Sequence, residues 1–470
     1  MRVVLAGCNV EAAILEGARN EFHEAVTPEV ISAAYARISR DPRGIAALRN
    51  EARGAVEKAR RSNERIVFGF GHRSVAEHAV LNLDVAGISR LAVEQIEHFR
   101  LASYTEKSQR YIRLGKDIVV PPEIKGGRHE SEFRSLMGHL HGAYKVAFQR
   151  IAAAGEELGA AKEDARYLMP LATSTQLGMT VNARELEYMI GRLAGHPLGE
   201  LQVFSKKAFT VARASIPSLV RYPEPSRHCL DIPTAKGEIC LSVSPRGSAR
   251  HTRNAPVQLI EVTPDADERL AACILFSSCR VPMPEARALV KRLGSKKREE
   301  IIAKTMRRLE PHDTVWREFE SIHFIFELVV SASCYAQLKR HRIATLIPQP
   351  YDLSLGISMP ATFERACAAA MLRDAAARVE RFYRSHVKEL GAAAEYALLN
   401  AHRRRVLFGL NLREFYHFSR LRSDPSAQWE IRDISDAMCR LAEKKVPAGG
   451  SLLGGKDRFE EKKRRANLHK

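Results

Sequence analysis

No apolar run in these 470 residues reaches the roughly 18 that a membrane-spanning helix needs, so no spanning segment is expected. The opening Met1-Arg-Val-Val-Leu-Ala-Gly-Cys8 is too short an apolar stretch for a signal peptide and runs into acidic residues. The 8 cysteines are scattered and form no CxxC pair, which argues against a disulfide framework and for reduced thiols in the cytoplasm. HExxH, GxSxG and Walker A patterns are missing, and His72 and His78 have no evident third ligand, so no metal is expected. Acid is also short. With 55 Asp and Glu against 74 Lys and Arg the net charge is +19, which suits an anionic partner such as nucleic acid, a nucleotide or a polyglutamylated cofactor.

What is present is a cationic, polar motif that occurs twice. Gln95-Ile-Glu-His98-Phe99-Arg100-Leu-Ala-Ser-Tyr-Thr-Glu106-Lys-Ser108-Gln-Arg110-Tyr111 is echoed by Gln337-Leu-Lys-Arg340-His341-Arg342-Ile-Ala. Each copy follows the same grammar. Val80–Val85 alternates with Leu81, Leu83 and Val85 on one face, which predicts a half-buried strand, and Ile88, Leu91, Ala92, Ile96 and Phe99 then keep helical spacing. His323–Val330 alternates likewise, before a helix-like run from Tyr335 to Arg342. A second block recurs in the same order. Asp164-Ala-Arg166 and Asn182-Ala-Arg184 with Arg192 are followed, in the second half, by Glu395 and by Asn411-Leu-Arg413, His417 and Arg422. Each block continues into a predicted helix that ends at a proline, Pro217 or Pro447.

Two blocks repeated in order imply two tandem homologous domains, 1–220 and 256–455. Residues 221–255, rich in Pro, Ser, Gly and Arg, read as a linker or elaborated loop; 456–470 read as a basic, disordered tail.

Local patterns leave alternatives open. Ser74-x-x-Glu77 is either a capping box or the helix start that holds an anion on its backbone N–H groups. Glu106, Ser108 and Arg110 suit a phosphate with a polar ring, yet their spacing equally fits a solvated charged surface.

The ordered set GHRSVAEH, the Gln95–Tyr111 run, DARYLMP, NARELE and, in the second half, RLRSDPSAQWEIR resembles the flavin-dependent thymidylate synthase family, across most of both halves. The resemblance implies an α+β fold: two tandem copies of that family's α/β domain, with helices packed on a mostly antiparallel sheet. It implies FAD as cofactor, dUMP converted to dTMP, methylenetetrahydrofolate as carbon donor and NADPH as reductant. No cysteine nucleophile is needed, since reduced flavin supplies hydride and the protein orients the pyrimidine. Carried over by position, Gln95, Arg100, Glu106, Ser108, Arg110, Arg166, Gln337 and Arg340 would bind substrate. His72, Ser74, Glu77, Asn182, Arg184, His341, Arg342, Asn411, Arg413 and His417 would bind the cofactor, with Arg192 and Arg422 catalytic; His78 and Gln428 are also retained.

Each half departs from the family's Arg-His-Arg, seven residues, then Ser. The first reads His98-Phe99-Arg100; the second keeps Arg340-His341-Arg342 but has Pro350 where the serine belongs, and Glu395 stands where the first half has Arg166. The losses are partly complementary. The expectation is therefore sites composed from both halves in a homodimer that mimics the family tetramer. The alternative is a non-catalytic paralogue that binds flavin, nucleotide or RNA.

Overall fold

Alternating burial builds the sheets. Strand β2 (Val80–Ser89) buries Leu81, Leu83 and Val85 and exposes Asn82 and Asp84, while β6 (His323–Ser331) buries Phe324, Phe326, Leu328 and Val330. Both strands were legible as alternations. The computed structural model describes residues 1–10, 27–38, 41–243 and 255–468. The remaining strands are β1 (Arg2–Cys8), β3 (Ala102–Glu106), β4 (Ser174–Asn182), β5 (Val257–Val262), β7 (Thr345–Pro348) and β8 (Arg403–Asn411). They form two antiparallel sheets of the same plan, β1-β2-β4-β3 and β5-β6-β8-β7. Even the irregularity repeats, since the outer strands shift register at Leu5/Gly7 and at Leu259/Glu261. With helices on these sheets, the fold is α+β in two like halves.

The strand-to-helix joints are built alike. Ser89 caps helix Arg90–Ile96 by accepting from Ala92 N, and Ser331 caps helix Ala332–Leu338 by accepting from Cys334 N. Asn182 and Asn411 do the same for helices Ala183–Ala194 and Leu412–Arg422, accepting from Glu185 N and Glu414 N.

Several expectations need correction. The run Tyr335–Arg342 is not one helix. The helix spans Ala332–Leu338, and Arg340, His341 and Arg342 lie in the turn after it, where Arg340 N bonds Gln337 O and His341 N bonds Leu338 O. In the first half, Ile88 still belongs to β2 and Phe99 lies past the helix. The stretch read as linker contains helix Arg227–Val243; its remainder, 244–254, falls outside the described residues.

The chain divides into two compact units, 1–247 with 365–398, and 248–364 with 399–470. The sequence reading kept 256–455 together. Instead, helix Ala369–Leu390 belongs to the first unit, where it lies along helix Glu130–Ala153. Two-domain periodicity cannot show such an exchange, because the helix keeps the same amphipathic pattern whichever neighbour it covers.

The tail is ordered through Leu468. Helix Phe459–Arg465 buries Phe459, the Lys463 ammonium donates to Leu309 O at 2.9 Å, and Leu468 is buried. Its charge masked two apolar anchors. Phe459→Ala should therefore cost about 3–5 kcal/mol in urea unfolding, the usual loss for a buried aromatic, whereas a solvated tail would lose nothing.

Candidate functional site

In the second unit the motif residues converge. Burial takes the His341 imidazole to 3% exposure, with Nδ1 at 3.1 Å from Glu414 Oε1 and Nε2 at 3.0 Å from Arg422 Nε. A guanidinium can only donate, so Nε2 must offer its lone pair and the ring proton sits on Nδ1, facing Glu414. The relay therefore runs Arg422 to His341 to Glu414 with a neutral imidazole. Its pKa is accordingly held well below the ordinary 6.5 by burial, with the Arg422 and His417 charges adding to the effect. Burial pushes the Glu414 carboxyl the other way, upward.

Arg422 also reaches back to Gln337, donating to its side-chain oxygen at 3.5 Å and its backbone oxygen at 3.4 Å. That contact fixes the amide orientation, because only the oxygen can accept. It leaves the buried Gln337 Nε2 with no hydrogen-bond partner among the described residues. The His417 ring lies 5.7 Å from His341. Exposed Arg340 and Arg342 flank the buried imidazole.

The first unit holds a different cluster on the same backbone. Phe99 takes the place of His341 and meets Tyr188 edge-on at 5.6 Å, where the second unit has His341 against His417. Glu106 is ion-paired with buried Arg90, and Arg110 with Glu163. Arg166 is buried among Glu163, Arg90 and Arg110, and burial lowers its pKa. Glu106, Arg110 and Arg166 are thus brought together, though into an interior network with its own counter-ions. Counting Glu94 and Glu97, which also act on Arg90, three guanidiniums face four carboxylates. Ser108 Oγ accepts from Arg110 N at 3.1 Å.

A sequence model of the thymidylate synthase complementing protein family matches residues 23–218 and again 258–448. The chain belongs to that family. A UPF0159 protein of Thermoplasma acidophilum is 24% identical over 461 residues, covering 86% of this chain and 90% of its own. The flavin-dependent thymidylate synthase of Pyrococcus furiosus is 35% identical over 131 residues, 27% of this chain and 50% of that one. Among solved structures, flavin-dependent thymidylate synthase from Helicobacter pylori complexed with FAD and dUMP is 18% identical, covers 47% of this chain and 100% of its own, and gives a TM-score of 0.31.

Other residues singled out by the resemblance also make contacts within the fold. The Asn182 and Asn411 amides are spent on helix caps. Arg413 donates to Val315 O and pairs with Glu320 at 2.7 Å, and Arg184 pairs with Glu77 at 2.5 Å. The Ser74–Glu77 capping box does not form, because both residues lie inside the six-residue 3-10 helix Arg73–His78, whose cap position is His72. His72 and Ser74 are exposed, as is Arg100, and Gln95 is half-buried.

Arg192 and Arg422 are not counterparts. Arg422 stands eleven residues past its Asn cap and Arg192 ten past its own, which turns the side chain by about 100° on a helix. Arg192 points to Cys229 Sγ at 3.6 Å. Glu395, expected at the place of Arg166, lies in the short helical segment Gly391–Ala397 of the first unit. Pro350 and Ser108 are true counterparts in place, each two residues beyond the end of β7 or β3.

The sequence reading missed Glu414, whose only local signal was the N-x-x-E spacing from Asn411. It also missed a cavity of about 410 Å³ in the second unit, lined by Ser358, Arg403, Trp429, Asp433 and Arg440.

The relay has a pH signature. A histidine with a depressed pKa when folded binds fewer protons than in the unfolded chain, so its contribution to stability falls as pH drops below 6.5. Raised Glu414 works in the opposite sense, losing stability as pH climbs through its folded pKa. His341→Phe, the first half's residue, should flatten the acid-side loss. At neutral pH it should cost about 1–3 kcal/mol, since Arg422 and Glu414 each lose a buried partner. Urea midpoints measured from pH 4 to 8 would read both effects; parallel curves for the two proteins would reject the relay.

Proposed function

We propose that this chain is a flavin-dependent, thymidylate-synthase-like pyrimidine nucleotide methyltransferase whose anionic ligands bind chiefly in its second unit. The observation that carries the reading is the buried Gln337 amide with no partner for its Nε2, at the end of the Arg422–His341–Glu414 relay. A buried donor held in this way is what a ligand carbonyl or phosphate oxygen satisfies. Around it, exposed Arg340 and Arg342 flank His341, and Arg422 bonds the Gln337 side chain itself. Guanidiniums grouped in this way suit a phosphate or pyrophosphate, whereas Arg90 and Arg110 of the first unit's interior cluster are ion-paired with carboxylates.

The donor set fits FAD and dUMP, the ligands of the Helicobacter pylori relative. Bound reduced flavin would supply the hydride. Gln337 and Arg340 would orient the pyrimidine nucleotide, Arg342 and His417 would meet flavin phosphate or ring oxygens, and neutral His341 would hold Arg422 in place. Methylenetetrahydrofolate as carbon donor, NADPH as reductant and a homodimer of this two-unit chain complete the proposal.

Purified protein should be yellow or take up added FAD, and should convert dUMP to dTMP with folate and NADPH. Arg422→Ala should weaken dUMP or FAD binding by about 1.5–3 kcal/mol, roughly ten- to over a hundredfold. Arg110→Ala, whose guanidinium is already engaged by Glu163, should leave affinity nearly unchanged. The reverse pattern would move the site to the first unit. Colourless protein that refuses FAD would end the proposal.

A second reading has one observation in its favour. Pro350 replaces the signature serine in the unit that keeps Arg340-His341-Arg342, and the unit that keeps Ser108 has its cations neutralised. Such a chain could bind flavin, nucleotide or RNA without methylating. Binding to single-stranded RNA that falls steeply with salt, and no dTMP, would mark that outcome.

A further inference from the structure

Helices Glu130–Ala153 and Ala369–Leu390 of the first unit run in opposite directions along each other. Phe133 meets Phe382 at 5.9 Å, His139 lies 3.5 Å from Asp374, and Arg150 donates to Cys367 O. At one end of this contact each segment offers the same short pattern, His129-x-x-Glu132 and His386-x-x-Glu389. Spacing of three puts both side chains of a pair on one face of a helix. His386 Nε2 lies 2.9 Å from Glu132 Oε2, His129 Nε2 lies 3.0 Å from Glu389 Oε2, and the two rings are 4.3 Å apart. One ligand atom each from His129, Glu132 and His386 falls within 4.8 Å of the others.

We propose that His129, Glu132 and His386 form a binding site for a divalent transition metal of the zinc class. Two imidazoles and a carboxylate are a borderline donor set that suits Zn²⁺, whereas Ca²⁺ and Mg²⁺ prefer oxygen alone. Tetrahedral bonds of about 2.0–2.1 Å set neighbouring ligands roughly 3.3 Å apart, so ligand atoms that now lie within 4.8 Å of one another need close by at most about 1.5 Å, within the reach of side-chain rotation. The rings are already constrained. Both imidazoles are mostly buried, at 13% and 14% side-chain exposure, and Phe382 lies 4.7 Å from His386. Glu389, which also pairs with Arg128, lies against His129 Nε2, and Arg128 Nε donates to that same nitrogen at 3.1 Å, so the ion would displace both. The ion would pin a helix from the second half of the sequence to one from the first. The cluster is independent of the methyltransferase reading.

The test uses the full chain, stripped by chelator and titrated with ZnCl₂ and CoCl₂ in a calorimeter. The site should take one ion per chain, give Co²⁺ the intense visible bands of tetrahedral coordination, and raise the unfolding temperature. His129→Ala and His386→Ala should each weaken binding at least tenfold and abolish the thermal shift. Glu132→Gln, which keeps the hydrogen bond to His386, guards against misfolding and should still weaken binding. Failure of the parent to bind, or equal binding by all four proteins, would reduce the cluster to ordinary ion pairs with adventitious surface metal only.

Discussion

Everything the motif does depends on a buried carboxylate that grips a serine where strand becomes helix. Glu200, 3% exposed, accepts from Ser89 N at 2.8 Å, Ser89 Oγ at 2.5 Å and the Tyr396 hydroxyl at 2.7 Å. Glu430 accepts from Ser331 N at 3.0 Å, from Ser331 Oγ and from Ser358 Oγ at 2.6 Å. Each serine hydroxyl donates to the acid while its oxygen caps the next helix. A carboxylate taken from water with fewer bonds would cost several kcal/mol, so three donors on one acid are what let it stay buried. The grip fixes the first turn of a seven-residue helix, and with it Gln95 or Gln337 near that helix's end and the turn beyond, which carries His98 to Arg100 or Arg340 to Arg342.

On that shared frame the two halves have diverged by changing the chemistry and keeping the shape. Phe99 with Tyr188 and His341 with His417 are aromatic pairs at nearly the same separation. Glu185, freed of a histidine, accepts from Leu101 N, while its counterpart Glu414 holds His341. The imidazole brings two directed bonds into a buried place and needs a partner for each. The phenyl ring brings none. Phe at position 99 is therefore accommodated by packing alone, while Arg422 finds in the His341 ring nitrogen an acceptor that a phenyl ring could not offer.

Period-two burial made the inner strands legible, and the repeated order of polar blocks made the duplication legible. Family resemblance selected Gln337, His341, His417 and Arg422, which do come together. It gives no sign of which of its residues also hold the scaffold. Asn182 and Asn411 read as cofactor contacts, yet an asparagine before a helix satisfies the orphan N–H groups of its first turn. Charge misled in the tail, because the side chains that decide order there are Phe459 and Leu468. Ion pairing between distant segments, such as Arg110 with Glu163, leaves no local pattern in the chain.

The exchange of residues 365–398 into the first unit shows what a duplicated chain can do that separate copies cannot. Once two domains share one chain, a helix of the second can cover the first at no loss of translational freedom, since the linkage is already covalent. Leu171 N bonds Leu398 O and Ala172 N bonds Tyr396 O, so the segment leading to β8 is stitched to the one leading to β4. Tyr396 then supplies the third donor on Glu200, from the second half of the chain. The first half's motif is thus held by the second half's chain. A substitution at Tyr396, in the second half of the chain, would therefore loosen the strand-to-helix joint at Ser89 in the first.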